Sequence, residues 1–113
     1  MTRGLDNCLF VYSRSAWEKV AGKLQELSFV QADTRGFSRF MLSGAAEVEV
    51  DGAGRILIPE HQKEFAGLKK MIVFAGVSDR VEIWEADRWN SYKARIEKKA
   101  DALAEKLGEI GAL

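Results

Sequence analysis

Residues 51–59 read "DGAGRILIP", a short stretch that places one arginine beside a tight turn. Asp51 and Gly52 favour a turn, because aspartate can bond its own backbone and glycine tolerates a positive φ. Residues 47–50 alternate with period two, which predicts a half-buried strand, and residues 55–58 resume extended structure. The stretch therefore predicts a hairpin that carries Arg55.

The composition predicts one ordinary globular domain without a membrane segment. The chain has 113 residues, of which 47% are hydrophobic and 30% charged. No apolar run approaches the roughly 20 residues that cross a membrane. The 17 basic residues equal the 17 acidic ones, which argues against bulk electrostatic binding of nucleic acid but leaves a focused basic site open.

Hydrophobic periodicity and capping residues predict strands and helices on both sides of the hairpin. The expected strands, besides those of the hairpin, are residues 9–12, 71–75 and 81–84. The expected helices are residues 14–27, 31–43, 59–66 and 86–110. Ser13 and Ser15 are both candidate caps of the first helix, and Asp87 is the candidate cap of the last. These elements predict an α+β protein.

An internal repeat appears when the chain is shifted by 72 residues. The shift aligns Gly4 with Gly76 and Trp17 with Trp89, and each copy reads as turn, strand, cap and helix. The counterpart of Asp51 in the first copy would precede residue 1. We therefore expect a first repeat that lacks its hairpin, and this explains why "DGAGR" occurs once.

These residues resemble the MraZ family of bacterial transcriptional regulators. The resemblance is carried by "DGAGRILIP", "IVFAGV" and "VEIWEADRW", and "RGLDNCLFVYSRSAWEKV" looks like the later part of the family's first repeat. It implies two tandem AbrB-like repeats that form a small swapped-hairpin β-barrel with flanking helices. On this reading, residues 1–44 are the incomplete first repeat with its connecting helix. Residues 45–113 are the complete second repeat with a long C-terminal helix.

The resemblance also implies sequence-specific DNA binding. In the family an Asp-x-x-x-Arg motif serves this role, and here it maps onto Asp51 and Arg55, with Gly52, Ala53 and Gly54 between them. The implied partners are double-stranded promoter DNA with short direct repeats and further copies of the chain in a ring. The implied role is regulation of the cell division and cell wall gene cluster, in the cytoplasm at the nucleoid.

Physical chemistry suggests what the motif would do. Arginine suits bidentate bonds to guanine or a clamp on phosphate, and Asp51 would fix the turn and orient Arg55. Arg35, Arg39 and Lys63 are candidates for further phosphate contacts. Without the resemblance, the residues of "DGAGR" favour a plain tight turn with a solvated arginine, and the resemblance reverses that preference. The alternative function is an oligomerising interaction module that binds no DNA itself.

Other conspicuous residues favour structural roles. Trp17, Trp84 and Trp89 are expected as core or interface anchors, Cys8 as a small buried residue and His61 as a surface residue. No nucleophile with a placed base, phosphate-binding glycine loop or set of metal ligands stands out. The sequence therefore predicts no enzyme, no metal site and no cofactor.

Overall fold

The computed structural model describes residues 1–27 and 29–112, which contain four helices and four strands. The elements in chain order are β1 (Thr2–Arg3), β2 (Leu9–Val11), α1 (Arg14–Glu26), α2 (Ala32–Ser43), α3 (Glu60–Ala66), β3 (Ile72–Gly76), β4 (Val81–Glu85) and α4 (Ala86–Glu109). The predicted α+β class and all four predicted helices are confirmed. Leu113, the last residue of the predicted second repeat, lies outside the described residues.

The strands form one antiparallel sheet in the order β1-β2-β4-β3. The central pair joins the two halves of the chain, with Phe10 opposite Glu82. The repeat also aligns Phe10 with Glu82. Phe10 and Glu82 are thus partners both in the antiparallel pairing and in the repeat. Strands β2 and β4 are therefore related by an approximate two-fold axis that passes beside this pair.

The two faces of the sheet carry separate hydrophobic clusters, as strand alternation requires. On one face, Cys8, Phe10 and Trp84 pack with Leu24 of α1 and Met41 of α2. On the other face, the buried residues are Leu9, Ala66 and Ile83, and the partly buried residues packed on them include Ile56, Ile58, Phe65 and Ile72. Helices α1, α2 and α4 therefore cover one face, and α3 with residues 56–58 covers the other.

The segment before and after the turn differs from the expectation. Residues 47–50 and 55–58 belong to no strand, so the predicted strand at 47–50 is wrong. An alternating sequence forms a strand only where a neighbouring segment supplies backbone hydrogen bonds. Within the described residues, the bond from the Asp51 amide to the Arg55 carbonyl oxygen (2.9 Å) joins the two ends of the turn and does not continue into a ladder. Residues 47–58 instead form an arm without strand pairing, and its turn at residues 51–55 is exposed.

The sheet is open rather than closed into a barrel over the described residues. Strands β1 and β3 lie at its edges, and each is hydrogen-bonded to a single neighbouring strand. The barrel predicted from the resemblance is therefore not formed by these four strands alone, because the arm that would extend the sheet makes no ladder with them.

The structure shows which residues cap the first and the last helix. Ser13, rather than Ser15, caps α1 by accepting a hydrogen bond from the Ala16 amide at 3.2 Å. The predicted cap Asp87 is wrong, because Glu85 caps α4 through a 3.0 Å bond from the Arg88 amide. This bond holds the pKa of Glu85 below its usual value. Glutamate is an unusual cap, so the common cap nearby misled the prediction.

A buried glutamine ties α3 to the base of the arm. The Nε2 group of Gln62 donates to the carbonyl oxygens of Met1 (3.0 Å) and Gly44 (2.8 Å). Gln62 is fully buried and shares the inner face of α3 with Phe65 and Ala66. The amide therefore joins the N-terminal residue, the end of α2 and α3 at one point.

Replacing this amide should destabilise the protein measurably. Gln62→Ala takes the side-chain donor from the Gly44 carbonyl oxygen and one of two donors from the Met1 carbonyl oxygen, which keeps the Ala46 amide. We expect the free energy of unfolding to fall by about 1–3 kcal/mol. Chemical denaturation followed by circular dichroism measures it. Glu64→Ala, at an exposed position of the same helix, is the control and should change stability by less than about 0.5 kcal/mol. Equal effects of the two substitutions would contradict the role of Gln62.

Candidate nucleic-acid interface

The turn of the arm is built by the carboxylate of Asp51. Its Oδ1 atom accepts hydrogen bonds from the backbone amides of Ala53 and Arg55, both at 2.9 Å. The Gly54 amide donates to the Asp51 carbonyl oxygen at 3.0 Å. Gly54 has a φ of +78°, a conformation that side-chain-bearing residues rarely adopt. The sequence thus fixes the turn locally, without support from the core.

The second carboxylate oxygen orients the arginine. Oδ2 of Asp51 lies 3.4 Å from Nε of Arg55, and the Arg55 side chain is 79% exposed. Within residues 1–27 and 29–112, the two Nη groups of Arg55 make no hydrogen bond. The structure therefore brings Asp51 and Arg55 together as predicted, and it leaves the outer edge of the guanidinium available to a ligand.

Hydrogen bonding lowers the pKa of Asp51. The principal cause is the Arg55 amide that donates to the carboxylate, and the Ala53 amide and the Arg55 side chain add to it. These donors favour the ionised form, so the turn is most stable when Asp51 carries its charge. The carboxylate is at the protein surface, where this effect is modest.

The base of the arm is attached to the body on both sides. Met1 and Ala46 exchange two backbone hydrogen bonds, at 2.8 and 3.0 Å. Arg14 of α1 forms a 2.9 Å ion pair with Glu47. On the return side, Ile56 and Ile58 pack over the cluster of Leu9, Ala66 and Ile83. The arm therefore projects from an anchored base, and sequence reasoning missed this anchor because its contacts join distant residues.

The other candidate cations lie in different settings. Arg35 donates to the carbonyl oxygens of Phe29 and Val30 at 2.8 Å. Arg35 and Arg39 both line a groove between α1 and α2. Lys63 lies 3.8 Å from Glu60 on α3. The structure places none of the three in contact with Arg55, so Arg55 is the one cation of the arm.

The remaining conspicuous residues have structural surroundings. Trp84 is buried and contacts the ring of Trp89 at 5.4 Å, and Trp17 lies 5.9 Å from Tyr12. His61 is exposed. Cys8 is buried, and burial raises the pKa of its thiol to about 12. The predicted core role of Trp84 and the buried position of Cys8 are confirmed.

A cavity of about 600 Å³ lies apart from the arm, at the start of α4. It is lined by Trp84, Tyr92, Arg88 and Arg95 among others, and the nearby Glu85 carboxylate is already engaged as a helix cap. Within the described residues, no three His, Cys, Asp or Glu side chains converge as metal ligands. None of the helices described is long and apolar enough to span a membrane.

The comparison with known families decides the classification. Residues 1–40 and 41–108 both match the family described as "MraZ protein, putative antitoxin-like". The chain belongs to the MraZ family. The resemblance seen in the sequence is therefore confirmed, and it covers both halves of the chain.

Curated relatives agree with the family match. The chain is 49% identical to "Transcriptional regulator MraZ" of Acetivibrio thermocellus over 111 residues, which cover 98% of this chain and 78% of the relative. It is 49% identical to the MraZ of Desulforamulus reducens, over 97% of this chain and 78% of the relative. It is 50% identical to the MraZ of Moorella thermoacetica, over 95% of this chain and 75% of the relative. These names describe regulators rather than enzymes, in agreement with the expectation from the sequence.

The Asp51 turn should respond to acid. Because its folded pKa is lowered, the stabilisation of the turn is present above the unfolded pKa and is lost as pH falls through the folded pKa. We expect the amide resonances of Ala53 and Arg55 to titrate together, with a midpoint below the ordinary aspartate value. Nuclear magnetic resonance on isotope-labelled protein measures this.

Asp51→Asn is the matched control for that titration. The asparagine keeps an acceptor oxygen but has no charge to lose, so both amides should stop titrating. A midpoint at or above the ordinary aspartate value, or a titration that persists in Asp51→Asn, would contradict the proposed turn chemistry.

Proposed function

We propose that this MraZ-family chain is a sequence-specific DNA-binding transcriptional regulator that reads promoter DNA through the arm. The observation that carries the proposal is the exposed Arg55 guanidinium, oriented by Asp51 on a turn with positive φ at Gly54. The three relatives described above are each named "Transcriptional regulator MraZ", and this name supports the proposal. Regulation of the cell division and cell wall gene cluster, and localisation at the nucleoid, belong to the same proposal.

The charge of the arm favours base reading over a phosphate clamp. Residues 47–58 contain three carboxylates, Glu47, Glu49 and Asp51, and a single cation, Arg55. An acidic arm gains little from nonspecific attraction to the phosphate backbone. A guanidinium held by its Nε group can still present two Nη groups to guanine O6 and N7 in the major groove. We therefore assign Arg55 the role of base reader, with Asp51 as its positioning residue.

One arm is too weak to regulate a promoter. A bidentate contact supplies about 1–3 kcal/mol of discrimination, whereas useful specific binding needs about 11–15 kcal/mol. Several arms must bind together, and linked copies provide this through effective concentration. The ring oligomer and the short direct repeats of the promoter are therefore part of the proposal.

The proposal includes closure of the sheet. The edge of β3 is open, Phe74 on it is exposed, and Val50 and Leu57 of the arm are exposed as well. A barrel-like sheet with swapped hairpins would pair such an arm with a strand edge of another copy, which would satisfy both sets of backbone groups.

Binding of duplexes tests the function. Fluorescence anisotropy compares a duplex that carries the direct repeats upstream of the chain's own operon with a scrambled duplex. We expect Arg55→Ala to weaken binding to the repeat duplex at least about tenfold, because each arm loses its bidentate contact. Arg55→Lys should keep residual affinity but lose discrimination, since lysine retains the charge without the planar fork.

Lys93→Ala is the matched control. Like Arg55, Lys93 is exposed and paired with a carboxylate, that of Glu97, but it lies on α4 rather than on the arm. This variant should bind the repeat duplex about as tightly as the unaltered protein. Equal losses in both variants would indicate a nonspecific charge effect. An unaltered protein that assembles but binds neither duplex would favour the alternative, an interaction module without DNA binding of its own.

A further inference from the structure

The arm itself supplies no cation for a phosphate contact. In protein–DNA complexes, contacts to phosphate fix the position of the protein, and contacts to base edges read the sequence. Arg55 is the one cation of residues 47–58 and is assigned to base reading. The three carboxylates of the arm repel phosphate. A cation that positions the arm on a duplex therefore has to come from the body, close to the base of the arm.

Arg14, the first residue of α1, is an exposed cation at the base of the arm. A cleft of about 550 Å³ lies between the start of α1 and residues 45–49, and Arg14 lines it with a side chain that is 79% exposed. The N-terminal ammonium group of Met1 also borders this cleft. It donates to the Ala46 carbonyl oxygen, and burial lowers its pKa. Arg14 is therefore the cation of the cleft that a ligand can reach.

The distance between Arg14 and the turn suits one major groove. Nη2 of Arg14 lies 2.9 Å from Oε1 of Glu47. The four residue steps from Glu47 to Asp51 span at most about 14 Å. The major groove is about 12 Å wide and about 8.5 Å deep, so a base edge at its floor lies roughly 10 Å from the phosphates at its rim. When Arg55 contacts a base, Arg14 can therefore reach a phosphate of the same groove.

The ion pair with Glu47 holds the Arg14 guanidinium in the free protein. Glu47 is itself 80% exposed, and an exposed ion pair contributes little to stability. A phosphate oxygen forms the same kind of charge-assisted bond with arginine, and its neutralisation releases counterions from the duplex. Exchange of Glu47 for phosphate therefore costs the protein little. The base of the arm stays attached through the two backbone bonds between Met1 and Ala46.

We propose that Arg14 is a phosphate contact that positions the arm on DNA, and that Glu47 is the carboxylate that it leaves on binding. This inference rests on the proposed function, because it names the backbone contact that accompanies base reading by Arg55. The contact is independent of sequence, since every duplex offers phosphates. Glu47 stays near the site after the exchange, so its negative charge opposes the binding of any duplex.

Arg14→Ala should weaken binding of the repeat duplex and of the scrambled duplex by the same factor. The loss of one phosphate contact lowers the salt dependence of the binding constant by about 0.9 logarithmic units per arm, which corresponds to about fivefold in affinity per arm at roughly 0.15 M salt. Fluorescence anisotropy at several salt concentrations measures both quantities. Arg14→Lys keeps the charge and should retain the salt dependence. Unchanged affinity and salt dependence in Arg14→Ala would overturn the proposal.

Glu47→Gln separates a phosphate contact from a structural support of the arm. This variant and Arg14→Ala break the same ion pair, but Glu47→Gln leaves the cation in place. Because it removes a competing carboxylate, we expect it to bind both duplexes more tightly, by about twofold per arm. If the ion pair only supported the arm, both variants would weaken binding. Weaker binding by Glu47→Gln would therefore overturn the proposal.

Lys93 and Glu97 provide matched controls for both variants. They form an exposed ion pair on α4, with 3.9 Å between Nζ and Oε1. Lys93→Ala and Glu97→Gln remove the same charges as Arg14→Ala and Glu47→Gln. They should leave the affinity for both duplexes and its salt dependence unchanged. Changes as large as those of the test variants would indicate an effect of net charge and would overturn the assignment to Arg14.

The two proposals fail in different ways. Arg55→Ala should lose the preference for the repeat duplex, whereas Arg14→Ala should keep that preference and lose affinity. A chain that binds both duplexes equally, with the expected changes at Arg14 and Glu47, contradicts base reading alone. A chain that prefers the repeat duplex but does not respond to Arg14→Ala contradicts the phosphate contact alone. A chain that binds neither duplex contradicts both proposals.

Discussion

The antiparallel pairing of β2 with β4 is the interaction on which the rest of the structure depends. It joins the two halves of the chain around Phe10 and Glu82 and creates both hydrophobic clusters. Ile56 and Ile58 pack on the cluster of Leu9, Ala66 and Ile83, so the return side of the arm is attached to this pairing. Around the same pair, Arg80 lies 4.3 Å from the Phe10 ring and binds Glu82, which in turn accepts a bond from Trp84. Through its contact with Phe10, Arg80 therefore joins this polar group of the second half of the chain to the first half.

The body and the arm are stabilised by different forces. The body depends on burial, as expected of a small domain with two helix-covered sheet faces. The turn of the arm depends on hydrogen bonds to Asp51 and on the backbone freedom of Gly54. A turn built this way stays defined while its side chains remain solvated. This property suits a loop that must present a guanidinium to a partner without rearrangement.

Patterns carried by local sequence were predictable, and those that depend on distant partners were not. The helices, the repeat and the turn at Asp51 follow from periodicity, spacing and turn chemistry. The failure at residues 47–50 has a physical cause, because alternation describes a strand only when a neighbour supplies hydrogen bonds. The bonds of Gln62 to Met1 and Gly44 were equally unpredictable, although its place beside Phe65 and Ala66 marked it as inward. The choice of Glu85 over Asp87 as a cap depended on where β4 ended.

The central claim is that the arm contacts DNA, and amide hydrogen exchange read by mass spectrometry tests it most directly. The 113-residue chain is compared with and without the repeat duplex, and with the scrambled duplex as reference. The account predicts slower exchange in peptides that cover residues 47–58 with the repeat duplex only. It predicts no change specific to that duplex in residues 97–110. Protection elsewhere with an unchanged arm, or equal protection by both duplexes, would contradict the claim that Arg55 reads the promoter.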